Sequence, residues 1–124
     1  MAANSVAATT SFNHRPILAD ELLPERALAG DQLAKGTLLQ SFYHPIADAS
    51  TELLHTLKTY LECGRSLEAT SKVLFVHANT VRYRLRRIQE ILGEDATDPR
   101  TAFVLQIALA LGAISDSETG VKRD

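Results

Sequence analysis

The segment HANTVRYRLRRIQEILG, residues 77–93, constrains this chain more than any other. Arg82, Arg84, Arg86 and Arg87 fall within six positions, and no acid stands between His77 and Gln89. Val81, Leu85, Ile88 and Leu92 recur at spacings of four, three and four, so at about 100° per residue they share one face of a helix. Asn79, Tyr83, Arg86 and Glu90 then occupy the opposite face, with Thr80, Arg82 and Arg87 on its shoulders. A helix anchored along one side, with Asn, Thr, Tyr and Arg along the other, has the make-up needed to enter a DNA groove.

The 124 residues leave room for one domain, or for a compact domain with extra segments at its ends. A chain 45% apolar and 23% charged has the balance of an ordinary globular protein. Its net charge of −2 argues against a nucleic-acid partner, but the distribution argues for one. From Arg65 to Glu90 stand six basic and two acidic residues, a balance of +4, while all other positions hold seven basic and thirteen acidic, a balance of −6. A basic face on an acidic body is the electrostatic footprint of a small DNA-binding domain.

No run of eighteen apolar residues occurs, so a membrane span is not expected. The N-terminus lacks the basic start and apolar core of a secretory signal, which points to the cytoplasm. The one cysteine, Cys63, has no partner for an internal disulfide. Lying on the apolar side of a helical segment, it reads as a reduced, buried thiol.

In chain order, residues 1–14 are small, polar and aperiodic, and read as a disordered segment. Residues 15–47 form a helical lead-in, expected to belong to an upstream region. Pro24 starts a short helix that Gly30 stops, Asp31 caps a second helix through Leu33, Leu38, Leu39 and Phe42, and His44-Pro45 breaks it. From 48 to 113 the pattern becomes that of a compact domain. Asp48 or Ser50 caps a helix over 51–63 whose Leu53, Leu54, Leu57, Tyr60 and Leu61 form a core-facing stripe, and Gly64 ends it. Ser66 caps a short helix over 67–74, the arginine-rich helix runs to Gly93, and Asp98-Pro99 opens an apolar helix over 99–111. Residues 114–124 are polar and read as a flexible tail. The run Thr80-Val81-Arg82 resembles the opening of the recognition helix in a Fis-like helix-turn-helix, so the fold class expected is all-α, a small helical bundle containing a Fis-like helix-turn-helix.

Helices at 51–63, 67–74 and 78–92, with a tight turn between the last two, have that layout. In the motif the first helix of the pair crosses the DNA backbone and the second lies in the major groove. Arg suits a guanine edge, Asn an adenine edge, and Thr or Tyr a phosphate or thymine methyl. The expected DNA contacts are therefore His77, Asn79, Thr80, Arg82, Tyr83, Arg86 and Arg87, with Ser66 and Lys72 toward phosphate. His77 fits either a base contact or a helix cap, the cap being favoured. Arg84, on the edge of the apolar stripe, fits a bridge to Glu68 or another acid as well as a DNA contact.

At these residues the chain resembles the C-terminal DNA-binding domain of the PucR-type regulators, bacterial proteins whose relatives include the sugar-diacid regulators. LEATSKVLFVHANTVRYRLRRIQEILG and DPRTAFVLQIALAL carry the likeness, which covers roughly Leu53 to Leu111 and is most specific from His77 to Leu85. It implies that Thr80, Arg82, Tyr83 and Arg84 lie on or beside the DNA-facing surface. It also implies an upstream sensory domain in a longer regulator, with this chain as a fragment. Two positions depart from common helix-turn-helix sequences. Ser71 stands where Ala is usual, and Phe75 stands where a turn glycine is usual. A bulky residue is disfavoured at positive φ, so a longer or differently shaped turn with Phe75 packed is expected.

No Cys/His cluster, phosphate-cradling glycine loop or G-x-S-x-G occurs, so neither an enzyme nor a metal or cofactor is expected. The functional expectation is the DNA-binding output domain of a transcription regulator, bound to double-stranded DNA as a homodimer or higher homo-oligomer. The alternative is a helical protein-interaction module without direct DNA contact.

Overall fold

In the computed structural model, residues 22–120 are described; the expectation for residues 1–14 lies outside them. α1 spans Leu23–Leu28 with Pro24 in its first turn, and Gly30 (φ 100°) follows it. Asp31 caps α2, Gln32–Leu38, by accepting from the backbone N–H of Leu33 (3.0 Å) and Ala34 (3.1 Å). The break expected at His44-Pro45 does not occur. A π-helical turn, Leu39–Tyr43, joins α2 to α3, His44–Ala49. Proline lacks an N–H and its ring presses on the carbonyl four residues back. Widening the preceding turn, so that the His44 N–H donates to Leu39 O, lets the chain stay helical past that obstruction.

α4, Thr51–Glu62, is capped by Ser50, whose Oγ accepts from the Leu53 N–H at 3.2 Å. Its Leu53, Leu54, Leu57, Tyr60 and Leu61 are buried, as the stripe predicts. Gly64 and Arg65 then both adopt left-handed φ, which turns the chain sharply into the next helix. Cys63 is free but only half-buried, because it lies just past Glu62 as the C-cap, where the chain leaves the helix, and not on the helix's buried face.

α5 spans Leu67–Leu74, α6 Ala78–Leu92 and α7 Pro99–Thr119. Asp98 caps α7 through the Thr101 N–H at 2.9 Å. The polar residues up to Thr119 continue this helix instead of forming the expected flexible tail. The cause is a buried contact from a distant part of the chain: the Tyr43 hydroxyl donates to Asp116 at 2.5 Å, and the Tyr43 ring lies against Gly112. Residues 121–124 of that tail lie outside the described range.

One apolar cluster holds these helices together. Leu38 and Ile46 from the lead-in, Leu57 of α4, Val81 and Ile88 of α6 and Val104 and Leu105 of α7 are all fully buried in it. Residues 22–47 therefore pack in the same core as the helices that follow. The architecture is all-α, with no strand among the described residues.

Candidate nucleic-acid interface

Three residues, Phe75, Val76 and His77, separate α5 from α6. The turn is short because Phe75 itself adopts the left-handed conformation, φ 59° and ψ 44°. The N–H groups of both Phe75 and Val76 then reach Ser71 O, so the last turn of α5 is closed by backbone bonds alone. This overturns the expectation of a longer or differently shaped turn with Phe75 packed, since Phe75 itself takes the left-handed position where a glycine is usual. In this conformation Val76 packs against the core, while the Phe75 side chain is 92% exposed.

His77 is the N-cap of α6: its Nδ1 accepts from the Asn79 N–H at 2.9 Å. Behind it, Val81, Leu85 and Ile88 are buried, which fixes the helix to the core along the predicted stripe. Arg84 strengthens that attachment. Its guanidinium meets Glu52 Oε2 at 3.0 Å and Thr56 Oγ1 at 3.2 Å on α4, and its side chain is 16% exposed. Of the open alternatives, the structural bridge is thus realised, with Glu52 as the acid and not Glu68. That partner was hidden in the sequence, because nothing local links positions so far apart. The only signal was Glu52 and Thr56 sharing one side of α4 at helical spacing.

The other face of α6 is open. Asn79, Arg82, Tyr83 and Arg86 are exposed, and Thr80 is half-buried on the shoulder. Arg82 Nη1 donates to Asn79 Oδ1 at 2.6 Å, and Arg87 Nη1 pairs with Glu90 at 2.7 Å. Arg86 makes no hydrogen bond or ion pair among the described residues. Lys72 is exposed on α5. Ser66 is half-buried, and its Oγ is already used as the α5 cap, accepting from the Ala69 N–H at 3.0 Å. The nominated residues thus divide into an exposed group on α6, a lone lysine on α5, and two caps whose acceptors are occupied.

From Ala69 to Gln89 there is no carboxylate, so the field over this face is set by Lys72 and the arginines. Among the described residues no three His, Cys, Asp or Glu side chains are grouped to hold a metal ion. Nor is any helix there long and apolar enough to cross a membrane. What the surface can do chemically is offer hydrogen bonds and positive charge to a polyanion, at the N-terminal end of a rigid helix.

A short helix, a three-residue turn and a longer basic helix packed on a common core define a helix-turn-helix protein. Residues 53–111 match the PucR C-terminal helix-turn-helix domain, and the chain carries a domain of that family. It is 52% identical over 101 residues to an uncharacterised protein of Mycobacterium tuberculosis, covering 82% of this chain and 24% of that protein. It is 40% identical to the purine catabolism regulatory protein of Bacillus subtilis over 59% of this chain and 15% of that one. With the carbohydrate diacid regulator of Escherichia coli the identity is 49% over 48% of this chain and 15% of that one. Among solved structures, a regulator of polyketide synthase expression from Bifidobacterium adolescentis superimposes with a TM-score of 0.73 and 50% identity, over 78% of this chain and 39% of that chain. The chain spans about a quarter of the length of the mycobacterial relatives it matches.

Proposed function

We propose that this chain is the DNA-binding output domain of a bacterial transcription regulator, with α6 lying in the major groove and α5 crossing the backbone beside it. The observation that carries this reading is the open face of α6. It is basic and free of carboxylates through its first three turns, and its other face is fixed to the core by Val81, Leu85, Ile88 and the Arg84 bridge. The domain acts by binding and not by catalysis, in the cytoplasm, as the terminal part of a longer protein whose upstream region senses the signal.

The regulator works as a homodimer or higher homo-oligomer, for which α7 offers a surface. Phe103 and Ile107 are half-buried, and Ala110 and Ile114 are exposed, at spacings of four, three and four. Leu33 of α2, 79% exposed, is a further apolar element available to a second copy. A two-fold dimer would place its half-sites about one helical turn of DNA apart. A protein-interaction module without DNA contact is favoured by no observation on this face.

Mobility-shift titrations of Arg82→Ala and Arg86→Ala against the intact chain test the reading. Each substitution is expected to weaken duplex binding at least several-fold. Unchanged affinity and salt dependence in both would sink it.

A further inference from the structure

We infer that the recognition surface is built to read guanine, because the hydrogen bonds at the start of α6 leave its first three turns with many exposed donors and few free acceptors. This inference rests on the DNA-binding reading above and adds a base preference to it. The first consumed acceptor is on His77. Its Nδ1 already accepts from the Asn79 N–H, so the proton of the neutral ring sits on Nε2 and the exposed nitrogen is a donor. The second is on Asn79. Its Oδ1 accepts from Arg82 at 2.6 Å, so one of its two lone pairs is taken and a guanidinium stands beside the other, while both N–H groups of its amide stay unused. Arg82 keeps its remaining N–H groups, and Arg86, unpaired among the described residues, keeps all five. The nearest carboxylates in sequence are Glu68 and Glu90, and Glu90 is held by Arg87. Besides the screened second lone pair of Asn79, the hydroxyls of Thr80 and Tyr83 are left to accept.

The four base edges of the major groove respond differently to such a surface. Guanine offers two acceptors, N7 and O6, side by side, whereas adenine and cytosine each present an amino group that needs an acceptor. Asparagine commonly reads adenine by accepting from its N6 amino group while donating to N7. Here that neutral amino group would have to bring its N–H hydrogens, which carry partial positive charge, to an oxygen already engaged by the charged guanidinium of Arg82, which disfavours the contact. Arg86 is therefore assigned as a bidentate guanine reader, and Asn79 with Arg82 as one coupled donor unit directed at a second acceptor-rich edge.

Selection of duplexes from a random pool by the full 124-residue chain, followed by base replacement in the winning duplex, tests this. The enriched motif is expected to carry guanine on one strand of each half-site. Replacing that guanine by 7-deazaguanine, which deletes only the N7 acceptor, should weaken binding about tenfold. Arg82→Ala should release Asn79 Oδ1 and shift the base preferred at one position toward adenine. A motif with A·T pairs at the sensitive positions, or indifference to 7-deazaguanine, would overturn the guanine assignment and leave DNA binding standing. A pool with no enrichment would overturn both.

Discussion

The guanidinium of Arg84, on α6, lies 3.0 Å from the carboxylate of Glu52, on α4. One of the four arginines that make the helix basic is thereby turned inward, and α6 is tied at mid-length to the helix it packs across. Arg84→Met is expected to destabilise the fold by about 1–2 kcal/mol, since it removes a partly buried bridge together with the bond to Thr56. Glu52→Gln should cost less than about 1 kcal/mol, because Glu52 is mostly exposed. Urea unfolding of the three proteins checks the order. Equal stability of Arg84→Met and the intact chain would mean that the bridge holds nothing.

Phe75 combines a left-handed backbone with an exposed side chain, so it bears a steric cost and gains little burial. Phe75→Gly relieves a strain of about 1–2 kcal/mol and gives back part of it through the greater freedom of the unfolded chain. The net expectation is a stabilisation of up to about 1 kcal/mol, with Phe75→Ala within about 0.5 kcal/mol of the intact protein. Thermal melts of both variants decide it; a clear loss of stability in Phe75→Gly would show that the ring makes a contact worth more than the strain.

Replacing a helical glycine by alanine usually helps a helix by up to about 1 kcal/mol. Gly112 should do the opposite. A Cβ there would land inside the ring of Tyr43, whose hydroxyl is fixed to Asp116 on the same helix and which therefore has little freedom to move aside. Gly112→Ala is expected to lower stability by about 1–3 kcal/mol. A melting temperature at or above that of the intact chain would contradict this packing.

Acid should loosen the attachment of α1 to α7. The side-chain hydrogen bond from Arg100 holds the Glu25 carboxyl down to about 2 from its ordinary 4.5. A carboxyl with a depressed folded-state value contributes fully above the unfolded value and loses that contribution as the pH falls toward the folded one. The stability lost through Glu25 should therefore appear between about pH 4.5 and 2. Urea midpoints of Glu25→Gln and the intact chain should differ at neutral pH and converge as pH falls through that window. A constant difference would rule the pair out as the cause.

The helices themselves were legible in the sequence, because they depend on neighbours within a few residues. Periodicity marked the buried stripe of α6, and Asp31, Ser50, Ser66 and Asp98 cap where their chemistry places them. What escaped depends on residues far apart. The polar end of α7 is helical because Tyr43, 73 positions earlier, donates to Asp116. The chain passes Pro45 without breaking because a widened turn precedes it. At the site, the outward position of Arg82 and Arg86 followed from spacing. The partner of Arg84 and the conformation of Phe75 did not, since both are set by how α4, α5 and α6 meet.

The most direct measurement of the central claim is the salt dependence of duplex binding by the intact chain and by Lys72→Ala. If α5 and α6 engage DNA, log K falls linearly with log[salt], with a slope of about −0.9 for each phosphate neutralised, so several contacts give a steep line. Lys72→Ala should make that slope shallower by about 0.9 and weaken binding to all duplexes alike. A slope near zero for the intact chain, or one that Lys72→Ala leaves unchanged, would contradict the account.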